Sequence, residues 1–320
     1  MDRAGPVAGL RRALAAFVSR FDVEGKHWCV ALSGGPDSLA LTAVAAGVRP
    51  TTALVVDHGL QPDSASVAET ARQAAVQLGC TDARVLRVAV GRSGGPEAAA
   101  RSARYAALQE ASGGAPVLLG HTLDDQAETV LLGLGRGSGS RSLAGMRPHQ
   151  PPWCRPLLGV RRAVTQAACD ELGLTPWRDP HNVDPAYTRS RLRTEVLPLL
   201  EDVLGGGVAE ALARTATGLR EDCDALDDLA GTSLSAALAE RTLEVQRVDR
   251  LPDALRRRVI RGWLLAAGAT DLTDNQIRRV DDLVMNWHGQ GGVAVGSSLR
   301  NQRLVAGRAG GRLRVHREPV

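Results

Sequence analysis

The chain has 320 residues, 44% of them hydrophobic but only 3% aromatic, so a sizeable core must be filled by Ala, Leu and Val. The formal net charge of +4 is a mild lean toward polyanions, carried almost wholly by arginine because Lys26 is the one lysine. The five cysteines form no C-x-x-C pair, which excludes zinc ribbons and cysteine-held clusters of the usual spacing, and no stretch is long and apolar enough to span a bilayer.

An odd cysteine count without a secretory leader fits a reducing cytosol, so a cytoplasmic location with no membrane partner is expected. Residues 7–21 place Val7, Leu10, Leu14, Phe17, Val18 and Phe21 at three- and four-residue steps, broken by Arg11, Arg12 and Arg20. That is an amphipathic helix, not a signal segment. Residues 30–38 read V-A-L-S-G-G-P-D-S. Val30, Ala31 and Leu32 suit a buried parallel strand. Gly34 and Gly35 permit a turn whose amides point into one concavity, and Pro36 suits a first helical position with Asp37 and Ser38 in the first turn. Such a turn at a helix N-terminus is an anion site. Neither the lysine-bearing phosphate loop nor G-x-G-x-x-G is present, and taken alone the six residues also describe a plain glycine-rich turn.

A strand at 53–56 follows, ending in Asp57-His58-Gly59-Leu60, then a helix over 64–78, a strand over 85–90, an alanine-rich helix over 97–110, a strand over 116–120 and a helix from about 123 to 134. Strands alternating with helices predict an α/β fold with a parallel, doubly wound sheet. Ligands in such sheets lie beyond the strand carboxyl ends, where the Ser33 loop, Asp57-His58-Gly59 and the stretch from His121 to Glu128 should converge.

Residues 133–145 read as a mobile Gly/Ser/Arg loop with Arg136 and Arg141 offered to phosphate, or as a plain linker. After R-P-L-L at 155–158 and a helix over 161–172, residues 179–193 open with turn chemistry and close with Arg189, Arg191 and Arg193 at every second position. Extended, these three arginines share a face; helical, they fan out and only some reach a site. The triple glycine at 205–207 predicts a boundary between a domain at 1–205 and a smaller, mainly helical domain at 206–320. The latter carries one or two helices over 208–240 (with caps at Thr232 and Ser233), further helices over 250–267 and 274–287, and short strands near 292–295, 303–305 and 313–315.

In G-H-T-L-D-D-Q-A-E-T at 120–129, a helix from Asp124 puts Asp125, Glu128 and Thr129 on one face, with Asp124 a turn from Glu128. Crowded carboxylates there suit Mg²⁺ or a cationic substrate, although Asp124 also suits a helix cap and His121 a turn residue. Arg101 and Arg104 share a face of the preceding helix, where a guanidinium suits a phosphate or simply solvent.

The S-G-G-x-D-S loop resembles that of the N-type ATP pyrophosphatases. Together with D-H-G-L at 57–60, R-S-A-R-Y at 101–105, G-H-T-L-D-D-Q-A-E-T, R-P-L-L and the stretch at 179–199, it resembles the bacterial tRNA(Ile)-lysidine synthetases in order and spacing over about the first two hundred residues. The remainder looks like that family's smaller tRNA-contacting domain. Thr122 replaces a second histidine of the family pattern, His181 a serine before Asn182, and Ser190 an asparagine, and the chain is expected to lack the last domain of the longest members.

The resemblance implies that ATP adenylates the wobble cytidine of a tRNA(Ile) with a CAU anticodon, releasing pyrophosphate, and that free L-lysine displaces AMP to form lysidine. It implies ATP held by Ser33, Gly34, Gly35, Pro36, Asp37 and Ser38, with Mg²⁺ on Asp37 and Asp125. Lysine would be held by Asp124 and Glu128. Catalysis would use Asp37, Arg104, His121, Asp125 and Arg191, and tRNA would meet Arg189, Arg193, Arg136 and Arg141. A homodimer is one option for the oligomeric state. With Lys26 ahead of the first strand, the nucleophile is expected from outside the chain. The rivals are a tRNA thiolase, which needs C-x-x-C pairs or persulfide-carrying cysteines, an amidotransferase-type synthetase, which needs a glutaminase, and a non-catalytic nucleotide- and RNA-binding protein.

Overall fold

The computed structural model describes residues 5–59, 63–91, 95–137, 139–180, 184–298 and 301–319. Two compact units divide after Gly218, as Met1–Gly218 and Leu219–Val320. The first contains α1 (Pro6–Phe21), β1 (Trp28–Ala31), α2 (Pro36–Ala46), β2 (Thr51–Asp57), α3 (Ser64–Gln77), β3 (Asp82–Arg87) and α4 (Pro96–Ser112). It continues with β4 (Val117–Leu119), α5 (Leu123–Gly135), α6 (Ser140–Leu143), β5 (His149–Gln150), β6 (Trp153–Cys154) and α7 (Arg162–Glu171). After α8 (Thr188–Arg191) comes a π-helical turn, Leu192–Val196, and then α9 (Leu197–Val203) and α10 (Val208–Ala237).

The sheet runs β3-β2-β1-β4-β6-β5, parallel except for the β5–β6 hairpin. Successive residues of β1 face opposite sides, and both sides are covered. Val30 joins a core with α1, α2, α3 and α7, whereas Cys29 and Ala31 pack with Leu108 of α4. Hence the strands read as continuous apolar runs instead of alternating ones. The chain leaves β1 toward β2 on one side, and β4 adds on the other, so the crevice opens where the loops after β1 and β4 part.

The triple glycine is a turn, not a linker. Gly205, Gly206 and Gly207 all have positive φ, and the Glu201 carboxylate accepts from Val208 N at 3.0 Å and Ala209 N at 3.1 Å. Ala209 packs with Leu123, Ala127 and Leu197 of the first unit. The start of α10 therefore belongs to that unit, and the division falls within the helix instead of near 205. Thr232 and Ser233 cap nothing: they lie inside α10, donating to the carbonyls of Asp228 and Leu229.

The second unit adds β7 (Leu238–Ala239), β8 (Thr242–Glu244), α11 (Val245–Val248), α12 (Asp253–Ala266), α13 (Asp274–Met285), β9 (Val293–Val295), β10 (Gln302–Ala309) and β11 (Arg312–Pro319). Its strands form an antiparallel sheet, β7-β8-β11-β10-β9, over a core around Trp263, Ile260 and Leu283. Arg256, almost fully buried on α12, pairs with Asp281 of α13 at 2.5 Å. No helix among the described residues is long and apolar enough to cross a membrane.

Candidate active site

The loop after β1 is closed by its own hydroxyls. Ser33 N donates to Ser38 Oγ at 3.2 Å, the two seryl oxygens share a hydrogen bond at 3.1 Å, and Ser38 Oγ donates to Gly35 O at 3.0 Å. Gly34 takes φ +83°, a conformation that side-chained residues avoid, and Gly35 caps α2 with Pro36 at its first turn. Gly120, at the end of β4, leans on that turn. A Cβ there would lie 3.0 Å from the Asp37 carbonyl atoms and from Ser38 N. A side chain there would need that backbone to give by a few tenths of an ångström, so β4 presses against the first turn of α2, and nothing local in the sequence announced this.

Two cavities adjoin here. One, of about 270 Å³, is walled chiefly by Leu54, Val55, Val56, Val67 and Ala68, with Asp57 and His58 at the end of β2. The other, of about 670 Å³, holds Asp37, His121, Asp125, Arg162 and Arg193. Ala31, Ser33, Arg104, Trp177 and Asp179 line both. The apolar cavity has the chemistry of a nucleobase site and the polar one that of phosphate and amine. Arg104 stands in the shared wall, and burial lowers its pKa from the ordinary guanidinium value. Among the described residues it has no carboxylate partner. Arg101 instead lies over the Tyr105 ring, 4.9 Å from its centroid.

His121 is neutral: burial pushes its pKa down to about 3, with Arg155, Arg104 and Arg101 adding to the effect against Asp125. Its Nδ1 is buried without a partner, as is that of His58. Burial and Arg104 also hold His58 below the usual imidazole range. A neutral imidazole can donate one N–H to a phosphate oxygen, but at a pKa of about 3 His121 is no base at neutral pH.

The acidic end is built on the first turns of α5 and α7. Thr122, where the family pattern has a histidine, is fully buried and caps α5. Asp125 Oδ2 accepts from Thr122 N at 2.7 Å and Thr122 Oγ1 at 2.9 Å, and Asp125 N donates back at 3.5 Å. Arg162, which the sequence reading did not single out, occupies the middle of the cluster. It reaches Asp125 Oδ1 at 2.6 Å, Glu128 Oε1 at 3.3 Å and Asp37 Oδ2 at 3.5 Å, while its backbone N donates to Asp124 Oδ2 at 2.7 Å. Arg193 Nε pairs with the fully buried Glu128 at 2.8 Å, and Arg161 with Asp124 at 3.2 Å. Burial opposes charge on Arg162, but Asp125, Glu128, Asp37 and Asp124 outweigh it and raise its pKa. Burial likewise works to raise Asp125, yet Arg162 and Thr122 N prevail and hold it below the carboxylate norm.

Asp37 behaves differently. Burial raises it to about 6, and its hydrogen bonds from Thr165 and Arg162 offset that only in part. A desolvated carboxylate whose one charged partner is at 3.5 Å fits a divalent cation. Asp125 is near enough to raise it further and would join by sharing Oδ1.

The helical alternative holds for residues 189–193, and the arginines fan out. Arg193 enters the polar cavity, whereas Arg191 is 59% exposed and pairs with Glu195 at 2.9 Å. The structure thus keeps Arg191 out of the constellation and puts Arg193 in it. Two residues apart on a helix, their side chains leave on nearly opposite faces, so one meets solvent and the other the cavity. Arg189 sits half-buried on α8, and Arg136 and Arg141 are exposed at the end of α5 and on α6. The described residues of the stretch at 133–145 are not a loose loop. Gly133 packs on the backbone of Ser142, and the Gln126 amide bonds both N and O of Met146. Leu60, His181 and Asn182 lie outside the described residues.

Sequence reasoning also missed Thr165, Trp177 and the buried Arg155. Trp177 N donates to Gly34 O at 3.0 Å, a contact between segments far apart in the chain.

Comparison with known proteins finds a PP-loop domain over residues 8–200 and a TilS substrate binding domain over residues 243–314. The tRNA(Ile)-lysidine synthases of Mycobacterium bovis and Mycolicibacterium paratuberculosis are 69% and 67% identical over the whole of both chains. That of Rhodococcus erythropolis is 58% identical over 95% of this chain and 94% of its own. Among solved structures, the U34-tRNA thiolase NcsA of Methanococcus maripaludis aligns with a TM-score of 0.55 at 17% identity, covering 68% of this chain and 80% of that one, a likeness of fold alone.

Proposed function

The chain belongs to the tRNA(Ile)-lysidine synthase family, and from that membership we propose that it uses ATP to convert the wobble cytidine of a CAU-anticodon tRNA(Ile) to lysidine with free L-lysine. The observation that carries the reading is the pair of cavities meeting at Ser33 and Arg104, one apolar and the other lined by both carboxylates and arginines. A ring carbonyl oxygen of the cytidine attacks the α-phosphorus, and the bond to the bridging oxygen breaks to release pyrophosphate. The lysine amine then attacks the ring carbon and gives up a proton, and AMP leaves with the former carbonyl oxygen.

Each residue has a task that its surroundings support. The Ser33–Ser38 loop receives the pyrophosphate at the N-terminus of α2. Arg104 and neutral His121 face the α-phosphate as charge develops there. Asp37, with Asp125, would hold Mg²⁺, which would supply neutralisation of charge on the leaving group. Asp124 and Glu128 form the acidic end that meets the lysine ammonium. Arg189, Arg136, Arg141 and the exposed Arg191 are offered to tRNA phosphates. Lys26 is exposed ahead of β1, at the opposite end of the strand from the crevice, so the amine is supplied by a free substrate. A thiolase reading is disfavoured, because all five cysteines are buried and none lines either cavity. We place the protein in the cytoplasm on the same reading.

The test is incubation with ATP, labelled L-lysine and a CAU-anticodon tRNA(Ile). Label in tRNA together with AMP release is expected. AMP release with sulfur or ammonia incorporation, or tRNA binding without ATP cleavage, overturns the proposal.

A further inference from the structure

Every carboxylate oxygen of Asp37, Asp124, Asp125 and Glu128 already faces a donor of this chain. Asp125 Oδ2 is taken by Thr122, Asp37 Oδ1 by Thr165, and the two oxygens of Asp124 by Arg161 and the Arg162 backbone. Asp37 Oδ2 faces Arg162 Nε, and Glu128 Oε2 faces Arg193 Nη2 at 3.2 Å. What is left, Asp125 Oδ1 and Glu128 Oε1, is spanned by the guanidinium of Arg162 with Arg193 beside it. The ammonium that the proposed function brings to this end therefore meets a cation of the same charge already in place.

From this occupancy we infer that Arg162 is a specificity-determining residue for the amino-acid substrate, acting by exchange. The substrate ammonium displaces the Arg162 guanidinium from Glu128, and the freed guanidinium pairs with the substrate carboxylate. The inference rests on the reading of this end as the lysine site.

Three features make the exchange feasible. Glu128 keeps Arg193 at 2.8 Å and Asp125 keeps both bonds from Thr122, so neither carboxylate is stripped when Arg162 leaves. Arg162 borders the cavity of about 670 Å³, which gives its side chain room to turn. A guanidinium offers a planar fork that matches a carboxylate with two parallel hydrogen bonds. The outcome is selection for a zwitterion: an amine without a carboxylate must displace Arg162 and leave it unpaired.

The experiment compares L-lysine with cadaverine, the same diamine without the carboxylate, as the amine joined to tRNA by full-length protein. In the wild type kcat/KM should favour lysine strongly. Arg162→Gln removes both the competitor and the carboxylate partner. The lysine-to-cadaverine ratio should then fall roughly tenfold or more, with the KM for cadaverine lower than in the wild type. A role confined to holding the fold would lower both rates together and leave the ratio unchanged. Arg162→Lys keeps the charge without the fork, and an intermediate ratio is expected from it. That variant also decides the matter if Arg162→Gln does not fold, since a wild-type ratio in Arg162→Lys overturns the inference. An unchanged ratio in a folded Arg162→Gln does the same. A wild type that joins no lysine overturns the functional reading itself, so the two failures are distinguishable.

Discussion

Asp37→Asn should make the free protein more stable while removing its activity. The carboxyl is raised from 3.8 to about 6, first by burial and only partly relieved by Thr165 and Arg162. A carboxyl with a raised pKa binds protons more tightly in the folded state than in the unfolded chain. Its contribution to stability is therefore fully present below the unfolded value and lost as pH rises through about 6. At about 1.36 kcal/mol per unit, the ionised group disfavours the folded state by roughly 3 kcal/mol at neutral pH. An amide escapes that cost and keeps an oxygen for Thr165, but it turns an N–H toward Arg162 Nε, where the carboxylate had accepted at 3.5 Å. The net gain is expected at about 1–3 kcal/mol, a rise of roughly 2–10 °C in melting temperature. The assay is calorimetric melting in EDTA at neutral pH and again toward pH 4, with lysine incorporation measured alongside. The difference between variant and wild type should shrink as pH falls through 6, because both side chains are then neutral. A variant no more stable at neutral pH, or a difference that persists in acid, refutes the argument that Asp37 is a carboxylate kept short of counter-charge for a cation.

Gly120→Ala should depress AMP release sharply, since its methyl would meet the backbone of Asp37 and Ser38 at 3.0 Å and push the loop out of place; wild-type turnover would show that the loop tolerates movement. Arg193→Ala leaves Glu128 buried with only Arg162 beside it and should lower stability by about 2–4 kcal/mol in urea unfolding. Arg191→Ala, whose partner is an exposed Glu195, should leave the unfolding midpoint where it was. In the second unit Arg256→Ala strips Asp281 of its closest partner and should cost about 3 kcal/mol, softened by Arg257 at 3.0 Å; calorimetry checks this, and an unshifted transition would contradict it.

Local chemistry made much of the fold legible. The opening helix, the alternating strands and helices and the turn at Ser33–Ser38 each follow from apolar period, glycine placement and proline at a helix start, properties carried by neighbouring residues. The short strands β5 and β6 escaped because two-residue strands leave no periodic signal, and β3 began three residues earlier than its apolar run suggested. Thr232 and Ser233 looked like caps only because a hydroxyl inside a long helix and one at its start read alike until the helix ends are seen.

By itself the sequence determined which chemical groups the site could contain: hydroxyls and amides at the loop, carboxylates at 124–128, arginines at 101–104 and 189–193, and no lysine near them. Tertiary structure decided which of those groups meet. Arg191 and Arg193 are alike on paper, and the helical backbone at 188–196 puts them on opposite faces, one toward solvent and the other toward Glu128. Arg162 bears no local mark, since its partners lie 34 to 125 residues away and only the packing of α7 on α2, with Leu123 N donating to Val160 O, brings it into the carboxylate cluster. A charge declares its sign in the sequence, but its partner is fixed by long-range packing, and at this site the partners set both the pKa of Asp37 and the room left for a substrate cation.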